Sequence, residues 1–303
     1  MPRFVLSARS FFVLGAAFAL AACGGSTADP TNAPIDGGNG DTGGVVTDSG
    51  PGSPDTPPTS GLSFKTYVTL GDSISDKGGE GPFFYDLLVK NDDTKYPEAK
   101  GKDLSTKYGA DIVVQHASKG GARSVNLDSQ VGGLPKTLAG PVLVTITIGG
   151  NDIQAALANL LATGDDSKDR ATFQANLKTA LDELTQADRF GAGVKVRVVL
   201  ANVYDPSDGT GNFTYGSSKC PGALGFWPSG KATSTLLDPW EKIMADEAAK
   251  HPEVTLVDLR AKFNGHGVAT GAATTWFYSD CIHPNAAGHA STRDLFWGAI
   301  DKL

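Results

Sequence analysis

Residues 66–76 read Thr66-Tyr67-Val68-Thr69-Leu70-Gly71-Asp72-Ser73-Ile74-Ser75-Asp76. The first five are apolar or β-branched, which predicts a strand over 66–70. The glycine, aspartate and serine that follow are turn residues, so a serine hydroxyl stands where the strand ends. Similar short runs at 112–116, 142–148, 194–201 and 255–257 predict four more strands. Between them, apolar residues recur at three- and four-residue spacing, as in Phe173, Leu177, Leu181 and Leu184, and predict helices over 82–89, 152–161, 170–189, 233–249 and 286–303. Strands alternating with helices imply a three-layer α/β/α sandwich around a central, mostly parallel five-stranded sheet. Such sheets place sites at the carboxyl ends of their strands.

Far along the chain, Asp280-Cys281-Ile282-His283-Pro284 supplies what the serine lacks. A serine hydroxyl is a weak nucleophile unless a histidine takes its proton, and that histidine needs a carboxylate to fix its tautomer and stabilise the imidazolium. Ser73, Asp280 and His283 fit those roles in that chain order. Either string alone is ordinary, since Gly-Asp-Ser is turn chemistry and Asp-x-x-His can be a cap or a loop contact. Two further strings lie between them, each after an apolar run: Lys119-Gly120-Gly121-Ala122 and Gly149-Gly150-Asn151-Asp152.

With these four blocks in place, residues 64–300 resemble the SGNH hydrolases, also called GDSL esterases and lipases. The resemblance implies that Ser73 is the nucleophile, His283 the base and Asp280 its partner, with no metal and no cofactor. It also implies an oxyanion hole made by the Ser73 and Gly121 backbone N–H groups and the Asn151 side-chain amide. Glycine suits a point where backbone must approach substrate closely, and donors already aimed at the developing charge need no reorganisation. The glycine block reads Gly120-Gly121 where the family more often has Ser-Gly, so Gly120 stands as the alternative donor. The expected substrate is a small-molecule, lipid or glycan ester. A carbohydrate acetyl esterase and a non-catalytic surface-binding lipoprotein on the same scaffold are the rival functions.

Composition divides the chain into three. Residues 1–22 carry Arg3 and Arg9, then an apolar run ending in Leu20-Ala21-Ala22-Cys23, which resembles the lipobox of bacterial lipoprotein signal peptides. Processing would leave Cys23 as a lipidated first residue, with membrane attachment through that lipid only. The run is too short to span a bilayer as a helix. Residues 23–61 are rich in Gly, Pro, Thr, Ser and Asp and cannot bury enough apolar surface to order themselves, so they read as a tether. Residues 62–303 form the hydrolase domain. The expected location is the bacterial cell envelope, with outer membrane or cell surface favoured, and the expected state a monomer.

The chain carries a net charge of −7 and no basic patch with interleaved aromatics, which argues against nucleic acid. Of its 3 cysteines, Cys23 is assigned to lipid, so Cys220 and Cys281 are the expected disulfide of an exported domain. No zinc-type spacing accompanies them. His116, His251, His266 and His289 have no evident catalytic partner. Asp72 and Asp76 read as local turn stabilisers and Asp152 as a helix start signal. Residues 204–231 lack periodicity but hold Phe213, Tyr215, Phe226 and Trp227, as either a substrate wall or a satellite core. Trp276, Phe277 and Tyr278 read as core or site wall.

Overall fold

The structure is a computed structural model that describes residues 61–303 except 229 and 272. The expected leader and tether, Cys23 included, lie outside the described residues apart from Gly61. Five strands, β1 (Thr66–Gly71), β2 (Val113–His116), β3 (Val142–Thr147), β4 (Val196–Ala201) and β7 (Val254–Val257), form one sheet in the order β2-β1-β3-β4-β7. Every pair in it is parallel. A separate two-stranded hairpin, β5 (Thr214–Tyr215) with β6 (Ser218–Lys219), lies within the aperiodic segment.

β1 and β3 are buried along their whole length, as central strands covered on both faces must be. β2 is only half-buried because it is an edge strand. Its first residue is Val113, since Ile112 N–H donates to Gly109 O in the preceding turn.

The helices are α1 (Phe84–Val89), α2 (Leu104–Tyr108), α3 (Leu127–Gly132), α4 (Gly150–Thr163), α5 (Ser167–Thr185), α6 (Ser234–Ala248), α7 (Leu259–Phe263) and α8 (Ala286–Ile300). They fall into two groups by contact, α1 with α8 and α7, and α3 with α5 and α6. Right-handed crossovers put these groups on opposite faces of the sheet. The strand order reverses between β1 and β3, and a doubly wound sheet opens a crevice at that switch point. Ser73 follows β1 and Asn151 follows β3, so both stand at the crevice.

Candidate active site

The nucleophile turn depends on Gly71. Its φ is +109°, and a Cβ there would lie 1.8 Å from Thr147 O, so no side chain fits where β1 and β3 end together. The peptide groups of the turn are satisfied: Gly71 N–H donates to Gln130 Oε1 (2.7 Å), Gln130 Nε2 donates to Gly71 O (2.8 Å), and Asp72 N–H donates to Thr147 O (2.8 Å). The chain then enters a 3-10 turn, Ser73–Ser75, capped by Asp72, whose Oδ1 accepts from Ile74 N–H at 3.1 Å and from Thr147 Oγ1 at 3.0 Å. Burial pushes the Asp72 carboxyl up to about 7 against those hydrogen bonds.

The second half of the site is the loop before α8. It is closed by a bridge between Phe277 and Pro284 and by Tyr278 N–H donating to His283 O at 2.7 Å. Asp280 Oδ1 accepts the backbone N–H groups of Ile282 and His283, each at 2.9 Å. Its Oδ2 is 2.6 Å from His283 Nδ1. A carboxylate can only accept, so Nδ1 carries the proton and Nε2 is left as an acceptor. Ser73 Oγ lies 2.8 Å from that Nε2. Partial burial opposes ionisation of Asp280, yet the donors from His283 and Ile282 hold its carboxyl below the usual range.

The residues expected around the oxyanion gather at the same place. Gly120 N–H donates to Asp76 Oδ2 at 2.7 Å, whereas the N–H groups of Ser73 and Gly121 take no partner among the described residues. Gly121 has φ +76°, a conformation that favours glycine. The Asn151 side chain is anchored by one amide hydrogen donated to Ala122 O at 3.0 Å, leaving its second N–H.

Asp72 is the local turn cap that the sequence suggests, but Asp76 and Asp152 reach further than expected. Asp76 fastens the serine block to the glycine block through Gly120. Asp152 does sit in the first turn of α4, and its carboxylate also accepts Ser124 N–H (2.9 Å) and Ser124 Oγ (2.7 Å), tying the glycine loop to the asparagine block. His116 Nδ1 pairs with Thr69 Oγ1 at 3.2 Å, His251 Nδ1 with Thr185 Oγ1 at 3.0 Å, and His266 stacks on Trp276.

Two supports were not evident from the sequence. Gly78 packs on the histidine: a Cβ there would lie 2.4 Å from His283 Cδ2 and 2.6 Å from Ser73 O. His289, fully buried on α8, donates from Nε2 to Gly78 O at 2.9 Å, and burial pushes it down to about 4, which keeps it neutral. The pair Gly78-Gly79 directly after the serine block was the available signal, because adjacent glycines mark close backbone approach.

Cys220 and Cys281 are bonded, with Cα atoms 5.7 Å apart, and both are buried. Beside Ser73 and Asn151 opens a cavity of about 90 Å³. Its walls are mainly apolar and include Ile148, Ile153, Val203, Phe213, Leu224 and Ile282. Phe213 and Leu224 come from the aperiodic segment, which is thus partly a site wall, while Trp227 of the same segment is buried and Phe226 is 78% exposed. Phe277 is core and Tyr278 is exposed. Among the described residues no group of three or more His, Cys, Asp or Glu side chains is placed to hold a metal ion.

The sequence profile of the GDSL-like lipase/acylhydrolase family matches residues 69–291. No protein of curated function matches the chain by sequence. Among solved structures it is similar to an extracellular lipase from Streptomyces rimosus, at 20% identity over 78% of this chain and 99% of that one, with a TM-score of 0.46. It is similar to a lipase from a goat rumen metagenome, at 18% identity over 77% and 96%, with a TM-score of 0.50. It is also similar to an acetylxylan esterase from Geobacillus stearothermophilus, at 18% identity over 78% and 94%, with a TM-score of 0.46. At these identities the likeness is one of fold.

Proposed function

The chain belongs to the GDSL-like lipase/acylhydrolase family and is a serine ester hydrolase, and from that premise we propose that it works through Ser73, His283 and Asp280 by way of an acyl-enzyme. The observation that carries this reading is the continuous chain of hydrogen bonds from Asp280 to His283 (2.6 Å) and from His283 to Ser73 (2.8 Å). Ser73 Oγ attacks the ester carbonyl as its proton passes to His283 Nε2. The tetrahedral oxyanion is held by the Ser73 and Gly121 N–H groups and the free Asn151 amide hydrogen. Collapse breaks the ester C–O bond, and His283 returns its proton to the departing alkoxide. Water then attacks the acyl-enzyme, giving a proton to His283. That proton returns to Ser73 Oγ as the carboxylic acid leaves. Between the two glycines of the second block, Gly121 is the better donor because the Gly120 N–H is already committed to Asp76. Replacing Ser73 with Ala is expected to abolish ester hydrolysis while the far- and near-ultraviolet circular dichroism stay unchanged. Turnover persisting in that variant, purified free of contaminating esterase, would overturn the assignment.

The protein is further read as exported and lipid-anchored. This rests on the leader Leu20-Ala21-Ala22-Cys23 and the polar tract after it. Among the described residues no helix is long and apolar enough to cross a membrane. Cys23→Ser is expected to move the protein from the membrane fraction to the soluble fraction. A variant that still sediments with membranes speaks against the anchor.

A further inference from the structure

The apolar cavity has walls of two kinds. Ile148 follows β3, Ile153 is on α4, Val203 follows β4, and Leu236 and Leu237 are on α6; the main sheet and the long helices fix these. Phe213 and Leu224 have no such backing. They ride on residues 204–231, whose regular structure among the described residues is the hairpin β5–β6 and the 3-10 turn Gly222–Phe226. Its first part is tied to the loop after α7, where Asp208 accepts the Gly265 and Gly267 N–H groups (3.1 and 2.8 Å) and Pro206 O accepts Val268 N–H (2.7 Å), whereas the stretch that carries Phe213 and Leu224 is hydrogen-bonded within the segment. Cys220 N–H donates to Phe213 O at 2.9 Å, and Trp227 Nε1 donates to Lys231 O at 2.7 Å. Gly225 is pressed so closely on Cys220 that a Cβ there would lie 2.5 Å from its carbonyl oxygen.

The covalent tie from this segment to the rest of the site is the Cys220–Cys281 bond. Cys281 immediately precedes Ile282, which lines the same cavity and whose carbonyl accepts the Tyr204 hydroxyl at 2.5 Å. One bond thus joins two parts of the cavity wall, Phe213 and Leu224 on one end and Ile282 on the other.

We propose that this cavity binds the aliphatic acyl chain of the ester, that Phe213 and Leu224 set the length it accepts, and that the Cys220–Cys281 bond holds that limit in place. The proposal rests on Ser73 being the nucleophile. The cavity is bounded, at about 90 Å³, so chains up to the length that fills it gain contact with its walls and longer ones do not. Each methylene that finds room is expected to raise kcat/KM about fourfold, and the gain stops where the wall begins.

The test measures kcat/KM of the full chain on p-nitrophenyl acetate, butyrate, hexanoate and decanoate, with fluorophosphonate labelling of Ser73 run on every sample. Wild type is expected to peak at one of these esters and to fall beyond it. Leu224→Ala should move the peak to a longer ester, and Leu224→Trp should move it to a shorter one. Breaking the bond with a mild reductant, or by Cys220→Ser with Cys281→Ser, should raise the decanoate-to-butyrate ratio at least severalfold. The ratio is the readout because the same bond also steadies the loop of Asp280 and His283, so a lower rate on all esters alike would not reflect the wall. A chain-length profile unchanged by both Leu224 variants overturns the assignment of the wall. A ratio unchanged after reduction overturns the role of the bond. Absence of the fluorophosphonate adduct on wild type overturns the reading of Ser73 instead, so the two failures are distinct.

Discussion

Gly78 shows how little room the site leaves. Its φ lies outside the left-handed region, and the demand for glycine is one of space: the Cβ of an alanine would meet His283 Cδ2 at 2.4 Å. Displacing the imidazole by about 1 Å can cost about a hundredfold in rate. Gly78→Ala is therefore expected to lower kcat by about that factor while KM changes little; wild-type kcat in that variant would contradict the packing argument. Two buried groups near the site titrate with opposite effect. Asp72 is raised to about 7 from about 3.9 in an unfolded chain, so its contribution to stability is present at low pH and lost as pH rises through the folded value. His289 is lowered to about 4 from about 6.5, so its contribution is present above the unfolded value and lost as pH falls through the folded one. The slopes oppose each other in the shared window. Asp72→Asn removes one of them, and the variant is expected to gain melting temperature over wild type at about pH 8 and to fall more steeply between about pH 6.5 and 4. Parallel curves for the two proteins would argue against buried protonation at Asp72. At this scale Ser73, Asn151, Asp280 and His283 were legible as candidates, because they sit in three short strings. Asp76, Asp152 and His289 were not, because each acts across the fold on a peptide group that no local pattern marks.

At the scale of elements, the five main strands, the four long helices α4, α5, α6 and α8, and the six-residue α1 were readable, with ends shifted by a few residues. The helix expected over 170–189 starts earlier, at Ser167, and stops at Thr185, where Gln186 and Arg189 turn the chain through local N–H bonds. The short helices α2, α3 and α7 have 5, 6 and 5 residues. In these three the few apolar residues do not make a period, and two of them owe their form to side-chain caps, Asp103 and Asp258. The aperiodic segment is held by hydrogen bonds, a hairpin and a covalent bond, none of which leaves a repeat in sequence. Its disulfide spans 61 residues, for which the chain-entropy model gives about 4 kcal/mol. Urea melts with and without reductant are expected to differ by about that amount. Coincident melts would show that the bond adds nothing to global stability and acts on the cavity wall alone.

For the whole molecule, the parallel topology explains why blocks spread over two hundred residues meet. Order β2-β1-β3-β4-β7 places the ends of β1, β2 and β3 side by side, so serine, glycine and asparagine converge by sheet register. The fourth block has no strand of its own and reaches the crevice from the loop before α8. That loop is fastened by Asp280 accepting the backbone N–H groups of Ile282 and His283 and by the bond from Cys281 to Cys220. The alternation of strands and helices foretold the layers and the edge where the candidate site gathers. Of the cavity, only the candidate wall in residues 204–231 was legible, because the rest of its lining comes from separate stretches around Ile74, Ile148, Val203, Leu236, Leu259 and Ile282 that only the folded chain assembles. The central claim is that this assembly activates Ser73. It is tested most directly by treating the full chain with a fluorophosphonate and mapping the adduct by mass spectrometry, beside Ser73→Ala and His283→Ala. The account predicts a single adduct on Ser73 that vanishes in the first variant and is strongly slowed in the second. No adduct on folded wild-type protein, or an adduct on another residue, would contradict it.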